Sequence, residues 1–193
     1  MRSTTRTLAV TASLLLVLTL SGVAAGATQN ATPKKWISVF CGSVYTWEKT
    51  VKSNTSKLDK TFSALKQTGK ADIPTVKGKL VKYLGGIVKS TNTMVADIKH
   101  VGAPNVKNGS KLQGAVLSAF ALVQKAFGQT LSSAKKLPTN STKAFQTKAL
   151  ALAKTLQSDA SRISAAFNPV QKYSTKELND AAKADPTCAK LGS

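Results

Sequence analysis

A chain with one histidine has little with which to move a proton near neutral pH. His100 is the single histidine among 193 residues. It stands between Lys99 and Val101 in what reads as the last turn of a helix, where an imidazole complements the helix dipole. A serine hydrolase needs such a base held against its nucleophile, and the sequence offers no second candidate. Carboxylates are as sparse: Glu48, Asp59, Asp72, Asp97, Asp159, Glu177, Asp180 and Asp185 are scattered, and only the last three cluster. Glu48 lies one turn beyond Val44 on the side of Cys41, where a partly buried carboxylate is a functional hint; a salt bridge to Lys49, Lys52 or Lys190 is the simpler reading. There is no Gly-rich phosphate loop: Gly85-Gly86 interrupts a helical pattern, and Gly114 and Gly128 lie on the back of another. His100 is far in sequence from both cysteines, so no metal set is expected. No catalytic residue, metal or cofactor is therefore expected.

The chemistry that remains is thiol and ammonium chemistry. Cys41 and Cys188 are the only cysteines, and in an exported protein they most simply form one disulfide. The bridge would close nearly the whole chain into a loop, worth roughly 4–5 kcal/mol in the chain-entropy model. Two free thiols or an intermolecular bridge are the rival readings. Around Cys41 the stretch WISVFCGSVYTW gathers both tryptophans and one tyrosine. Trp47 falls on the apolar stripe of its helix, whereas Trp36 and Tyr45 fall to its side. All three are candidates to contact a small ligand, with core packing as the alternative. Lys49, Lys52, Lys57 and Lys60 flank the same stripe, Lys79, Lys82 and Lys89 flank the next, and Lys135-Lys136 ends the third. These nine are the candidate polyanion-binding residues.

Four amphipathic elements must position these groups. Behind Pro33, the residues Ile37, Phe40, Val44, Trp47, Val51, Leu58, Phe62 and Leu65 recur at helical spacing, with Gly69 as a stop. Ser53-Asn-Thr-Ser56 is a run of poor helix formers and the weak point of this rod, whose continuity there the sequence leaves open. Val76, Leu80, Leu84, Ile87, Thr91, Met94, Ile98 and Val101 form a second stripe. Leu112, Val116, Phe120, Val123, Phe127, Leu131 and Ala134 form a third, opened by the capping-box pattern Ser110 to Gln113. Phe145, Ala149, Leu152, Leu156, Ala160, Ile163 and Phe167 form a fourth, followed by a short helix after a second such pattern, Ser174 to Glu177. Sustained strand alternation is missing throughout. The expected fold class is all-α: an antiparallel up-down four-helix bundle with a short C-terminal fifth helix and one disulfide, the tail folding back to bring Cys188 to Cys41.

The ends set the expected compartment. Arg2 and Arg6, an apolar run from Leu8 to Leu20 and the small residues to Ala27 follow the order of a secretory signal peptide. Residues 1–27 are read as that leader, with an uncleaved anchor as the rival, and residues 28–193 as one helical-bundle domain. The apolar run is shorter than the roughly 20 residues a spanning helix needs. Without Arg2 and Arg6 the 28 basic residues become 26 against 8 acidic ones, a net charge of +18. All but Arg162 are lysines, hydrated point charges suited to diffuse attraction rather than bidentate recognition.

The motifs FCGSVYTW, GAPNVKNG (Gly102–Gly109) and DPTCAKL (Asp185–Leu191) resemble those of small secreted or surface-anchored helical proteins of actinobacteria, a group without an assigned activity. The resemblance covers nearly all of the mature region and implies no catalytic residues. Related chains are often acidic, and some carry a lipid-attachment cysteine; this one is basic and has none. The expected function is that of an exported, non-enzymatic protein, secreted or in the cell envelope. It would associate through surface lysines with anionic envelope polymers or a membrane surface, and with no specific nucleic acid, since aromatics do not interleave with the lysines. The alternative is a carrier or sensor for a small apolar ligand, held in the bundle core or under the aromatic cluster.

Overall fold

The computed structural model describes residues 30–68 and 72–191. The leader expected over residues 1–27 and the stop at Gly69 lie outside the described residues, as do the side chains of Leu58, Phe62, Leu65 and Ala160. Four long helices, α1 (Pro33–Thr68), α2 (Ile73–His100), α3 (Gly109–Lys135) and α4 (Thr142–Ala166), are followed by a tail. The tail comprises α5 (Asn168–Gln171), α6 (Lys176–Ala184) and a 3-10 turn at Cys188–Lys190. The chain is all-helical, with no strand among the described residues.

Neither weak point interrupts its helix. α1 runs unbroken through Ser53–Ser56. Thr55 donates its hydroxyl to the Val51 carbonyl at 2.9 Å and meets the Tyr83 hydroxyl at 3.0 Å, so side chains that disfavour a helix in isolation are tied to it here. α2 likewise continues through Gly85-Gly86. Leu84 and Ile87 on either side are almost completely buried, and packing of an apolar face outweighs local propensity.

The helix starts differ from the expected caps. α3 begins at Gly109 behind Asn108 in the left-handed region, with no side-chain cap. Gln113 instead donates to the Ile98 carbonyl at 3.2 Å, across the turn at the end of α2. α6 is capped by Thr175, whose hydroxyl accepts from Leu178 N, and Ser174 donates to Asn179. Ser141 caps α4 by accepting from Ala144 N.

α1 packs on α2, α2 on α3 and α3 on α4, while α6 and the 3-10 turn pack on α1 and α5 on α3. The larger core contains Trp36, Ile37, Cys41, Met94, Ile98, Leu112, Val116, Phe120, Val123 and Leu178. A smaller one joins Ile73, Val76 and Leu84 of α2 to Ala134, Leu137 and Phe145.

The tail is fastened by a Cys41–Cys188 disulfide across a sequence separation of 147. Asp185 shapes the approach, its carboxylate accepting from the amides of Thr187 at 2.8 Å and Cys188 at 3.2 Å. The start of the described chain is pinned at the same end. Ala31 donates to the Ala103 carbonyl and accepts from Asn105 N. That α2–α3 loop needs its glycines: Gly102 sits at φ 76°, and a Cβ on Gly109 would lie 1.9 Å from the Pro104 oxygen.

Candidate functional site

α1 presents two adjacent stripes. One is apolar and faces the core. The other, Ser38, Gly42, Thr46 and Thr50, is spaced by four residues and consists of small or hydroxylated side chains. α2 carries a matching set, Gly86, Ser90, Thr93 and Asp97. Between them the helices leave an open groove of about 900 Å³. Its remaining wall is made by Val39, Ser43, Trp47, Met94 and Val101, and Lys35, Lys89 and His100 also line it. A shallower depression of about 430 Å³ continues from Thr46 and Thr50 past Tyr45, Lys49, Ser53, Asn54 and Lys57. At 1.5 Å per residue, the track from Lys35 to Lys57 is about 33 Å long.

The polar atoms of the groove have a defined sense. Thr46 donates to the Gly42 carbonyl at 2.9 Å, Thr50 to the Thr46 carbonyl at 3.0 Å and Thr93 to the Lys89 carbonyl at 3.2 Å. Their protons point back into the helices, which leaves lone pairs as the groups they offer to anything outside. Ser43 donates to Asp97 Oδ2 at 3.1 Å. The Trp47 indole is fixed by donation from Nε1 to the buried Thr91 hydroxyl at 2.9 Å, and Thr91 in turn donates to the Ile87 carbonyl at 2.8 Å.

Ser43, Asp97 and His100 thus line one groove, but not as a catalytic relay. The serine proton goes directly to the carboxylate, whereas nucleophile activation requires it to face a base that the carboxylate orients from behind. Among the described residues no group of three His, Cys, Asp or Glu side chains could hold a metal ion. No helix among them is long and apolar enough to cross a membrane.

The aromatic candidates separate. Trp36 is 3% exposed and stacks on Phe40 at 5.2 Å; its buried Nε1 has no hydrogen-bond partner, and it does not line the groove. Phe120 continues this packing, 6.4 Å from Phe40 and edge-on to Phe167 at 5.1 Å. Tyr45 is half-buried in the shallow part of the track, with Lys49 Nζ 5.7 Å from its ring centre. Trp47 is the one tryptophan that lines the groove.

The lysine candidates Lys49, Lys52, Lys57, Lys60, Lys79, Lys82, Lys89, Lys135 and Lys136 are all exposed. Lys89 lines the groove and Lys49 and Lys57 its extension. Lys79, Lys82, Lys135 and Lys136 belong to the start of α2 and the end of α3, which meet where Lys77 Nζ donates to the Leu137 carbonyl at 2.7 Å. Glu48 pairs with Lys52 at 3.4 Å.

Apolar periodicity overlooks Lys35, Gly42, Ser43, Gly86, Thr93 and Asp97, because a stripe of small polar residues has no hydropathy amplitude. The signal is a recurrence of Gly, Ser and Thr at helical spacing on two successive helices, every four residues from Ser38 to Thr50 and at four and then three residues from Gly86 to Thr93. Comparison with protein-family models, characterised proteins and solved structures found no match to this chain.

Proposed function

We propose that this is an exported protein without catalytic chemistry of its own, which associates electrostatically with anionic polymers or lipid headgroups of a cell envelope through its lysines. The observation that carries the reading is the local commitment of its few acids. Glu48, Asp159 and Asp180 pair with Lys52, Arg162 and Lys176. Asp72 accepts from Thr75, Asp97 from Ser43, and Asp185 from two backbone amides. A backbone amide and the Thr175 hydroxyl hold the Glu177 carboxyl below its usual range. Eight acids can answer at most eight of the 26 cations left after residue 27. The excess repels itself in the compact state and is relieved by a polyanion.

The same reading takes the four long helices as an antiparallel up-down bundle, since successive helices touch and their connections are short. It takes residues 1–27 as a cleaved leader, and it places the mature chain in the envelope or the medium, in keeping with the actinobacterial resemblance. A carrier for a small apolar ligand has less support. Trp36, Phe40, Phe120 and Phe167 fill the aromatic end by packing on one another, and the groove is bordered by hydroxyls.

The test is retention of the oxidised mature protein on anionic vesicles and on native wall polymer as salt rises from about 0.05 to 0.5 M, a range over which exposed charges become screened. Steep loss of binding supports the reading. Salt-insensitive binding, or none at the lowest salt, overturns it.

A further inference from the structure

The groove between α1 and α2 differs chemically from the lysine-rich surface around it. Lysines are donors only, and they call for anionic acceptors. Thr46, Thr50 and Thr93 have turned their own protons into the helices, and Asp97 is an acceptor by nature. This part of the groove calls for donors. An inorganic polyphosphate or a bare sulfate satisfies the rim and is repelled by Asp97. A neutral sugar satisfies the acceptors and leaves the lysine charge uncompensated. An acidic sugar carries hydroxyl donors and a carboxylate on the same ring and meets both requirements.

From this pairing of acceptor-lined walls with a cationic rim, we infer that the α1–α2 groove seats a segment of an acidic polysaccharide. Its hydroxyls donate to Thr46, Thr50, Thr93 and Asp97, and its carboxylates lie toward Lys35 and Lys89. Trp47 supplies a flat apolar wall for the C–H face of a sugar ring, held in orientation by its bond to Thr91. The continuation past Lys49 and Lys57 gives the site the length of an extended chain rather than of one ring. Gly42 keeps the floor open, while Gly86 makes room for the Asn54 side chain. The inference rests on the polyanion reading above and narrows its partner to one class.

The test measures binding of oxidised mature protein to three probes: hexagalacturonate, its fully methyl-esterified neutral form, and inorganic polyphosphate of matched charge. A Cβ at Gly42 meets nothing within 4 Å, so Gly42→Leu fills the groove without disturbing the helix or any charge. Thr46→Val removes an acceptor at constant shape. The expected result is that each substitution weakens hexagalacturonate about tenfold, the equivalent of a hydrogen bond or two, and leaves retention on anionic vesicles unchanged. Hexagalacturonate should also bind more tightly than either other probe. Equal binding by wild type and both variants overturns the inference and leaves the polyanion reading standing. Polyphosphate binding as tightly as hexagalacturonate overturns it too, reducing the groove to part of a diffuse cationic surface. Failure of every anionic probe and of vesicles at low salt overturns the broader reading along with it.

Discussion

The two faces of α2 show what decides whether a space between helices is filled. On one face Leu84, Ile87, Thr91, Met94 and Ile98 are each at most 1% exposed. On the other, Gly86, Ser90, Thr93 and Asp97 border a groove of about 900 Å³ against α1. The backbone is shared, but the packed face also meets α3, Leu84 in one core with Ala134 and Ile98 in another with Leu112 and Val116, so a second neighbour and side-chain volume together make the difference. Branched and thioether side chains interdigitate to the density of an organic solid. Glycine has no side chain with which to bridge the helices, and Thr46, Thr50 and Thr93 satisfy themselves on their own backbone carbonyls, while Ser43 reaches across to Asp97. The packed face supplies stability, and the open face supplies a surface with a chosen hydrogen-bonding sense.

The largest change to this contrast should come from the bridge that holds the tail against α1 over the packed side. Replacing both Cys41 and Cys188 by serine releases a loop spanning 147 residues and is expected to cost about 5 kcal/mol in the chain-entropy model. Urea unfolding of this variant beside the oxidised parent measures it. A loss under about 1 kcal/mol would mean that apolar packing of Leu178 and the aromatic end already fixes the tail.

Next in size is truncation within α2 itself. Leu84→Ala removes a side chain that is 1% exposed and should cost about 2–5 kcal/mol. Ser90→Ala, two turns later on the groove face, should stay within about 0.5 kcal/mol of the parent. Equal costs in thermal or urea unfolding would show that the two faces are packed alike.

Most of the packed face is legible in the sequence. The stripes from Val76 to Ile98 and from Leu112 to Ala134 coincide with buried or half-buried positions. The Cys41–Cys188 pairing follows from the expectation of export and from there being only two cysteines. Burial of Trp36 is less legible, because a single stripe defines a narrow arc, whereas α1 is flanked by α2 on one side and by α6 and the 3-10 turn on another. Its buried arc is wider than its most regular spacing. Caps are displaced by a residue at Thr175 and replaced altogether at Asn108, since several Ser, Thr and Asn compete and the loop geometry selects among them. The polar part of the groove is illegible to hydropathy because Ser38, Gly42, Thr46, Thr50, Gly86, Ser90 and Thr93 stand outside the apolar stripes.

A smaller effect should connect the two faces. Thr91 is buried among the packed residues, yet it orients the indole that lines the groove. Thr91→Val keeps the shape and leaves the Trp47 N–H without its acceptor, at an expected cost of about 1–2 kcal/mol. Near-ultraviolet circular dichroism should also lose part of its tryptophan signal. An unchanged spectrum with unchanged stability would mean that packing alone, without the hydrogen bond, holds Trp47.

The smallest expected effect has the opposite sign. Gly42 lies in the interior of a helix, where glycine is less stable than alanine by roughly 0.5–1 kcal/mol. A Cβ there would meet nothing within 4 Å, so no native contact offsets that penalty. Gly42→Ala should therefore raise stability by about 0.5–1 kcal/mol, read as a higher midpoint in urea with an unchanged slope. A gain would show that folding does not require glycine at this position and that its openness serves the groove instead. A loss would show that the helices close on one another here in solution, and the contrast between the two faces of α2 would shrink to a difference in polarity.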